Sequence, residues 1–212
     1  MVDYDNFAST FSKSRKNMKW PEIDYFMDFI KSSFPDKTLK VLDIWCWNWR
    51  LVDNLWNTWH NFDYLWTDLS KSMVEEAKKN HPKSQFIILD MLDLDKLEQS
   101  FDLIFFIASF HHLKDRDSRI RVLEKAWDLL EAGGCIFMTN WNLLSNENLQ
   151  KYWGSRSWER DFDIKIWQDK RYYHCFSLEE LKELAEGSWF KLIENRLFDW
   201  DRNMISILQK PL

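Results

Sequence analysis

Glycine is scarce in this sequence: there are four in 212 residues, where a share of about 7% would give roughly 15. Cysteine is also rare. Cys46, Cys135 and Cys175 are widely spaced and odd in number, offering neither a disulfide framework nor a zinc-ligand spacing, so reduced thiols and no structural metal are expected. No run of about 18 apolar residues occurs, which predicts no membrane span, and the opening MVDYDNFAST lacks the apolar stretch of a signal peptide. A cytoplasmic location is the expectation. With 30% charged residues, 45% hydrophobic residues and a net charge of −5, fibrous, collagen-like and disordered readings are excluded, and the length suits one globular domain. The counterpart of the missing glycine is tryptophan, present 14 times.

Along the chain, apolar periodicity gives a regular order. Residues 22–34 place Ile23, Phe26, Met27 and Ile30 on one helical face after Pro21. Residues 39–44 form a short apolar run, followed by a polar turn and a helical pattern through Leu51, Val52 and Leu55. The unit recurs: a strand ends at Asp68, Ser70 is placed to cap a helix over 70–80, and Pro82 stops it. Further strands end at Asp90 and near Ser109; a helix over 119–130 is closed by Gly133 and Gly134, and residues 135–140 are a fifth strand. This alternation predicts an α/β, Rossmann-like fold, mostly parallel, with helices on both faces and ligands at the carboxyl ends of the strands. Beyond residue 140 an aromatic, polar insertion (145–170) precedes a helix over 178–185 and an antiparallel hairpin over 190–197 and 203–208. The whole, 1–212, reads as one domain: a core over 39–140, an insertion over 141–176 and a C-terminal part over 177–212.

The turn after the first strand carries the main contradiction. Val41 to Arg50 reads V-L-D-I-W-C-W-N-W-R, where a strand-to-helix turn must bring bare backbone against a nucleotide-like ligand. Glycine meets that need through positive φ and close approach; tryptophan does not. Glycine at 45, 47 and 49 restores V-L-D-I-G-C-G-N-G-R, which closely resembles the first motif of class I S-adenosylmethionine-dependent methyltransferases. The same exchange repairs Trp56 (a helix end), Trp59 (a turn), Trp66 (entry to Asp68) and Trp189 (the turn in E-G-S-W-F), and it extends to Trp167 and Trp200. Trp20 and Trp141 read as genuine, and Trp127, Trp153 and Trp158 are left open. The reading is that these are UGA codons written as Trp in a code that decodes them as Gly. The alternative takes the tryptophans literally: indoles fill the pocket, and the protein is a non-catalytic binding protein.

With the first motif repaired, the resemblance covers almost the whole chain. The tract Tyr4 to Pro21, the I-A-S-F-H-H-L segment (107–113) and R-Y-Y-H (171–174) resemble the tRNA wobble-uridine (5-carboxymethyluridine) carboxymethyl methyltransferase family, whose members esterify a carboxylate in the anticodon. That resemblance implies S-adenosyl-L-methionine as cofactor, the tRNA anticodon region as partner, a small activator subunit, and residues 1–38 as an N-terminal helical lid containing Tyr4, Arg15 and Trp20. It implies cofactor contacts from Asp43, Trp45 and Trp47 (as glycines), Asp68 with Leu69 at the ribose, Asp90 with Met91 at the adenine, and Ile107. His111, His112, Arg171 and His174 are the implied catalytic group, with Arg15, Tyr172 and Arg202 binding substrate. A carboxylate is already ionised at neutral pH, so no general base is needed; steering and near-attack geometry are the task.

Plainer readings stand beside these. His111 and His112 can cap or pack, Asp68 can be a helix N-terminal carboxylate, and the basic clusters Lys13, Arg15, Lys16, Lys19 and Arg116, Arg119, Arg121, Lys125 can be solvated faces. A small-molecule methyltransferase acting on a quinone or carboxylic acid is the second enzyme reading, because one fold serves many acceptors.

Overall fold

The structure is a computed structural model that describes residues 20–35, 37–45, 51, 62–82, 84–166 and 169–212. In chain order the elements are α1 (Pro21–Ser33), β1 (Leu39–Ile44), β2 (Phe62–Asp68), α2 (Lys71–Asn80), β3 (Gln85–Ile88), β4 (Phe101–Ile107), α3 (Arg116–Leu129), β5 (Leu130–Trp141), α4 (Asn146–Tyr152), β6 (Asp161–Ile166), β7 (Asp169–His174), α5 (Leu178–Gly187), β8 (Lys191–Phe198) and β9 (Asn203–Gln209). Two 3₁₀ turns, Met91–Lys96 and Phe110–His112, matter below.

Seven strands form one sheet in the order β3-β2-β1-β4-β5-β9-β8. The first five are parallel, and β9 and β8 add antiparallel at the edge. Strand order reverses between β1 and β4, which opens a crevice beyond their carboxyl ends, where ligands bind in open α/β sheets.

Period-2 alternation explains why helices cover both faces. Leu42, Ile44, Ile104, Phe106, Ile136 and Met138 pack with Val122, Leu123 and Ala126 of α3 and Leu181 and Leu184 of α5. Their neighbours Val41, Leu103, Phe105, Cys135 and Phe137 face the other way, onto Ile23, Phe26, Met27 and Ile30 of α1 and Val74 and Ala77 of α2. Side-chain caps fix the helix starts: Ser70 accepts from the Met73 amide, Asp115 from that of Ser118, and Ser177 from that of Glu180.

Two expectations change. Asp115 starts α3 at Arg116, three residues before the expected 119. Gly133 and Gly134 do not end that helix; they lie inside β5, where its register against β4 shifts between Phe101 and Leu103. Gly133 has φ 78°, and a Cβ on Gly134 would sit 2.8 Å from the Asp102 carbonyl oxygen, so close backbone approach accounts for the pair. The insertion holds α4 and the two-stranded sheet β6-β7, built on Leu143, Phe162, Ile164, Tyr173 and Cys175. The helix expected around Leu51, Val52 and Leu55 lies outside the described residues except for Leu51, which is helical and buried.

Candidate active site

Asp43 is the next-to-last residue of β1 and is buried. Tyr64 donates its hydroxyl to Asp43 Oδ2 at 2.8 Å, while Oδ1 has no hydrogen-bond partner among the described residues. Burial, with the Asp68 charge adding to it, pushes the Asp43 carboxyl up to about 7. Directly after β1, Trp45 has φ 62° and donates its amide to the Thr67 carbonyl at 2.8 Å. The turn therefore adopts the left-handed backbone that glycine favours.

Asp68 closes β2, buried, with Oδ1 accepting the Ser70 amide at 2.9 Å; half-buried Leu69 follows it. Asp90 caps the 3₁₀ turn after β3, accepting the Leu92 amide at 3.0 Å, whereas Met91 is fully buried in the core. Half-buried Ile107 ends β4, and Ala108 beyond it has φ 51° and donates its amide to Thr139 Oγ1 at 2.9 Å.

Across the crevice, β7 lies on the 3₁₀ turn that carries both histidines. His112 Nδ1 donates to the Tyr172 carbonyl at 2.8 Å, and the His112 ring meets Tyr173 edge-on at 4.5 Å. The Trp45 indole stacks on His112 at 5.9 Å. Arg171 is buried, its guanidinium 5.8 Å from the Trp45 ring and 5.7 Å from that of Tyr173. Burial first, then the Arg171 charge, holds both imidazoles well below the usual histidine range, so they are neutral near pH 7. The group thus pairs one cation with two neutral rings, a setting suited to an anion.

His174 and Tyr172 are placed differently. His174 Nδ1 lies 2.6 Å from Asp161 Oδ1, and Nε2 3.0 Å from Glu180 Oε2; Arg119 binds the same Glu180 at 3.2 Å and donates to the Leu113 and Lys114 carbonyls. The Tyr172 hydroxyl lies 2.8 Å from Asp161 Oδ1 and 3.0 Å from the Lys114 carbonyl oxygen. These contacts form a clamp that ties β6-β7 to α3 and α5. Arg202, on the β8–β9 connection, donates to Glu147 at 2.8 Å. The basic cluster of α3 is engaged internally: Arg116 pairs with Glu183, Arg119 with Glu180 and Lys125 with Asp95. Trp47, Arg15, Tyr4 and the basic residues 13–19 lie outside the described residues.

Backbone geometry separates the tryptophans. Trp45, Trp189 and Trp200 have φ of 62°, 66° and 55°, as positions built for glycine do. Trp66 is fully buried in β2, packed on Tyr64 and Phe86 with rings 5.3 and 4.6 Å apart; the backbone there makes no demand for glycine. Trp141, read as genuine, stacks on Tyr173 at 5.1 Å. Asn140 and Tyr64 are polar members of this crevice that sequence reasoning passed over. Asn140 is the next-to-last residue of β5, as Asp43 is of β1, and the same strand-end rule would have picked it out.

Residues 41–134 match the model of a family described as "Methyltransferase domain". A putative methyltransferase of Encephalitozoon cuniculi is 28% identical over 57% of this chain and 58% of its own length. The tRNA (carboxymethyluridine(34)-5-O)-methyltransferase of Saccharomyces cerevisiae is 24% identical over 70% of this chain and 50% of its own. The chain thus spans little more than half the length of these curated relatives. Among solved structures, an S-adenosylmethionine-dependent methyltransferase from Clostridium acetobutylicum superposes with TM-score 0.76 at 14% identity, covering 99% of both chains. A chain from the complex between the Haloferax volcanii Trm112 methyltransferase activator and a putative methyltransferase gives 0.72 at 15%, covering 100% of both. Together with the parallel strand order and its reversal between β1 and β4, these likenesses show that the chain has the Rossmann-like fold of the solved methyltransferases, and its residues 41–134 are similar to a methyltransferase domain.

Proposed function

We propose that this chain is an S-adenosylmethionine-dependent methyltransferase that esterifies the carboxylate of a 5-carboxymethyl wobble uridine in tRNA. The observation that carries the acceptor class is Arg171, a buried cation against two neutral imidazoles at the end of β4. Such a pocket favours an anion, and a carboxylate acceptor needs no general base. Kinship with the yeast enzyme supports the nucleoside.

Whether a methyl-donor nucleotide fits is tested by the crevice itself. The positive φ at residue 45, the unpaired buried Asp43 Oδ1 and the carboxylate of Asp68 at the end of β2 suit it. The indole at 45 does not, which supports the reading of positions 45, 47 and 49 as glycine in the natural protein. In this reading Asp68 takes the ribose hydroxyls and Asp43 holds the turn. When bound, the cofactor would supply an electrophilic methyl group on a sulfonium sulfur for the acceptor carboxylate to take up. No proton moves. Arg171 orients the carboxylate, and His112, fixed by the Tyr172 carbonyl, walls the path. A small activator subunit is part of the proposal; β3 is an edge strand with Ile87 and Ile88 exposed by 39% and 49%, an apolar edge of the kind that a partner covers.

A second reading follows from Trp45 taken literally: its ring packed against His112 and Arg171 fills the crevice, and the protein binds without catalysing. Both are tested by incubating the chain as written, and a form with glycine at 45, 47 and 49, with labelled S-adenosylmethionine and tRNA from a strain lacking the esterification step. A labelled methyl ester from the glycine form alone is expected. Unchanged nucleosides with both forms overturn the tRNA reading.

A further inference from the structure

Four buried polar atoms where β4 and β5 end have no hydrogen-bond partner among the described residues: Ser109 Oγ, His111 Nε2, and both Oδ1 and Nδ2 of Asn140. Ser109 and Asn140 are fully buried and His111 is 1% exposed. Folded proteins leave few such groups, because each loses its water without compensation. Concentrated in one place, at the crevice where this fold binds ligands, they describe a site rather than scattered imperfections.

The chemistry of the set is specific. His111 Nδ1 accepts the Trp141 amide at 3.3 Å, so the neutral ring carries its proton on Nε2 and presents a donor. The Asn140 carboxamide lies beside that ring, within reach of it as a hydrogen-bond partner, and presents one donor and one acceptor in a single plane. The Ser109 hydroxyl can give or take. Arg171 is the cation of the same pocket, 5.7 Å from the Tyr173 ring, which lies 5.2 Å from the ring of His111.

We propose that Asn140, supported by His111 and Ser109, is the specificity-determining residue that reads the unmethylated part of the acceptor: a planar imide edge, carbonyl beside N–H, as on a uracil ring. The inference rests on the carboxylate-methylating reading above. The carboxamide oxygen accepts the imide N–H, the amide donates to one carbonyl oxygen, and the His111 Nε2 proton serves the other. A ring with its imide nitrogen blocked loses the bond to Oδ1, and a site built to bond a polar group discriminates strongly against an analogue lacking it.

The test is a calorimetric titration of the full chain carrying glycine at 45, 47 and 49, with S-adenosylhomocysteine present, with 5-carboxymethyluridine and with its N3-methyl derivative. The expected result is binding at least tenfold weaker for the N3-methyl compound. Asn140→Asp, which keeps the shape but loses the donor, weakens the unmodified nucleoside at least tenfold. Asn140→Leu abolishes discrimination while raising Tm, because a buried unpaired amide is gone; a residue serving the fold would lower Tm instead. Equal affinity for the two nucleosides, binding of neither, or discrimination surviving in Asn140→Leu overturns the inference. Discriminating binding without methyl ester formation overturns the reaction proposed above and leaves this site standing; ester formation without N3 discrimination does the reverse.

Discussion

Trp200 offers the sharpest physical test of whether glycine belongs at the left-handed positions. It is 92% exposed, with φ 55°, in the turn between β8 and β9. An L-residue pays about 1–2 kcal/mol to hold that conformation, and glycine gives back roughly 0.5–1 kcal/mol through the extra freedom of its unfolded chain. No buried surface is lost, so Trp200→Gly is expected to stabilise by about 0.5–1 kcal/mol. For a domain of this size that is a Tm rise of about 2–4 °C per kcal/mol. Trp189→Gly, φ 66° and 59% exposed, gains less because its ring meets Trp127 edge-on at 5.9 Å. The two sites flank the eight residues of β8, on the order of 25 Å at strand rise, so their effects add. Trp153 is the control. It is equally exposed at 59%, but its φ of −51° and ψ of −47° are helical, and Trp153→Gly is expected to cost about 0.5–1 kcal/mol. Differential scanning calorimetry of the three single variants and the 189/200 double variant reads the signs directly. If Trp200→Gly lowers Tm, or if all three substitutions shift it the same way, the backbone argument for glycine is wrong.

The remaining predictions concern titration, and their signs oppose each other. Asp43 is raised from 3.8 to about 7 by burial, so between those values the folded state holds a proton that the unfolded state has released. Stability therefore falls as pH rises from about 4 to about 7, by an amount of order 4 kcal/mol at most. Urea unfolding of Asp43→Asn against the unaltered chain should show a difference that grows in the variant's favour over this range, and a constant difference would refute it. Glu180 behaves oppositely: burial works against its charge, but His174 and Arg119 outweigh it and hold its carboxyl below the usual range. Its contribution is present above about 4.5 and is lost as pH falls through the lower folded value. Glu180→Gln should cost about 1–3 kcal/mol at pH 7 and progressively less as pH falls below about 4.5 through the lowered folded value; a cost that stays constant down to acid unfolding would mean that the clamp is not electrostatic.

Much of the fold was legible because strands and caps are local signals. The apolar alternation of 41–44 and 101–107 and the capping serines at 70 and 177 act within a few residues, and each appears where its pattern puts it. Gly133 and Gly134 misled for the same reason. Glycine after a helix is a familiar stop, and only the Asp102 carbonyl on a neighbouring strand, 2.8 Å from where a Cβ on Gly134 would stand, explains why they sit inside β5 instead. The clamp was illegible in principle: Arg119 and Glu180 are 61 residues apart, and nothing local to either foretells the other. Likewise the role of His174 depends on Asp161 across a hairpin that forms only once Phe162, Ile164 and Tyr173 share a core.

The crevice joins the two kinds of signal, and there they constrain each other. Glycine shortage is a property of composition and says nothing about geometry, whereas φ is a property of the folded backbone and says nothing about codons. Among the described residues, non-glycine positive φ occurs at Trp45, Ala108, Trp189, Asp199, Trp200 and Asp201. Aspartate tolerates the left-handed region because its short side chain bonds locally, which leaves three tryptophans and one alanine to explain. Trp45 and Trp189 are positions where the turn pattern alone had asked for glycine, Trp200 was included without such a pattern, and Trp66, where the pattern also asked, is an ordinary strand residue in a packed core. A backbone that separates these cases without reference to the codon argument confines the glycine proposal to turns 45, 189 and 200, the described tryptophans with positive φ.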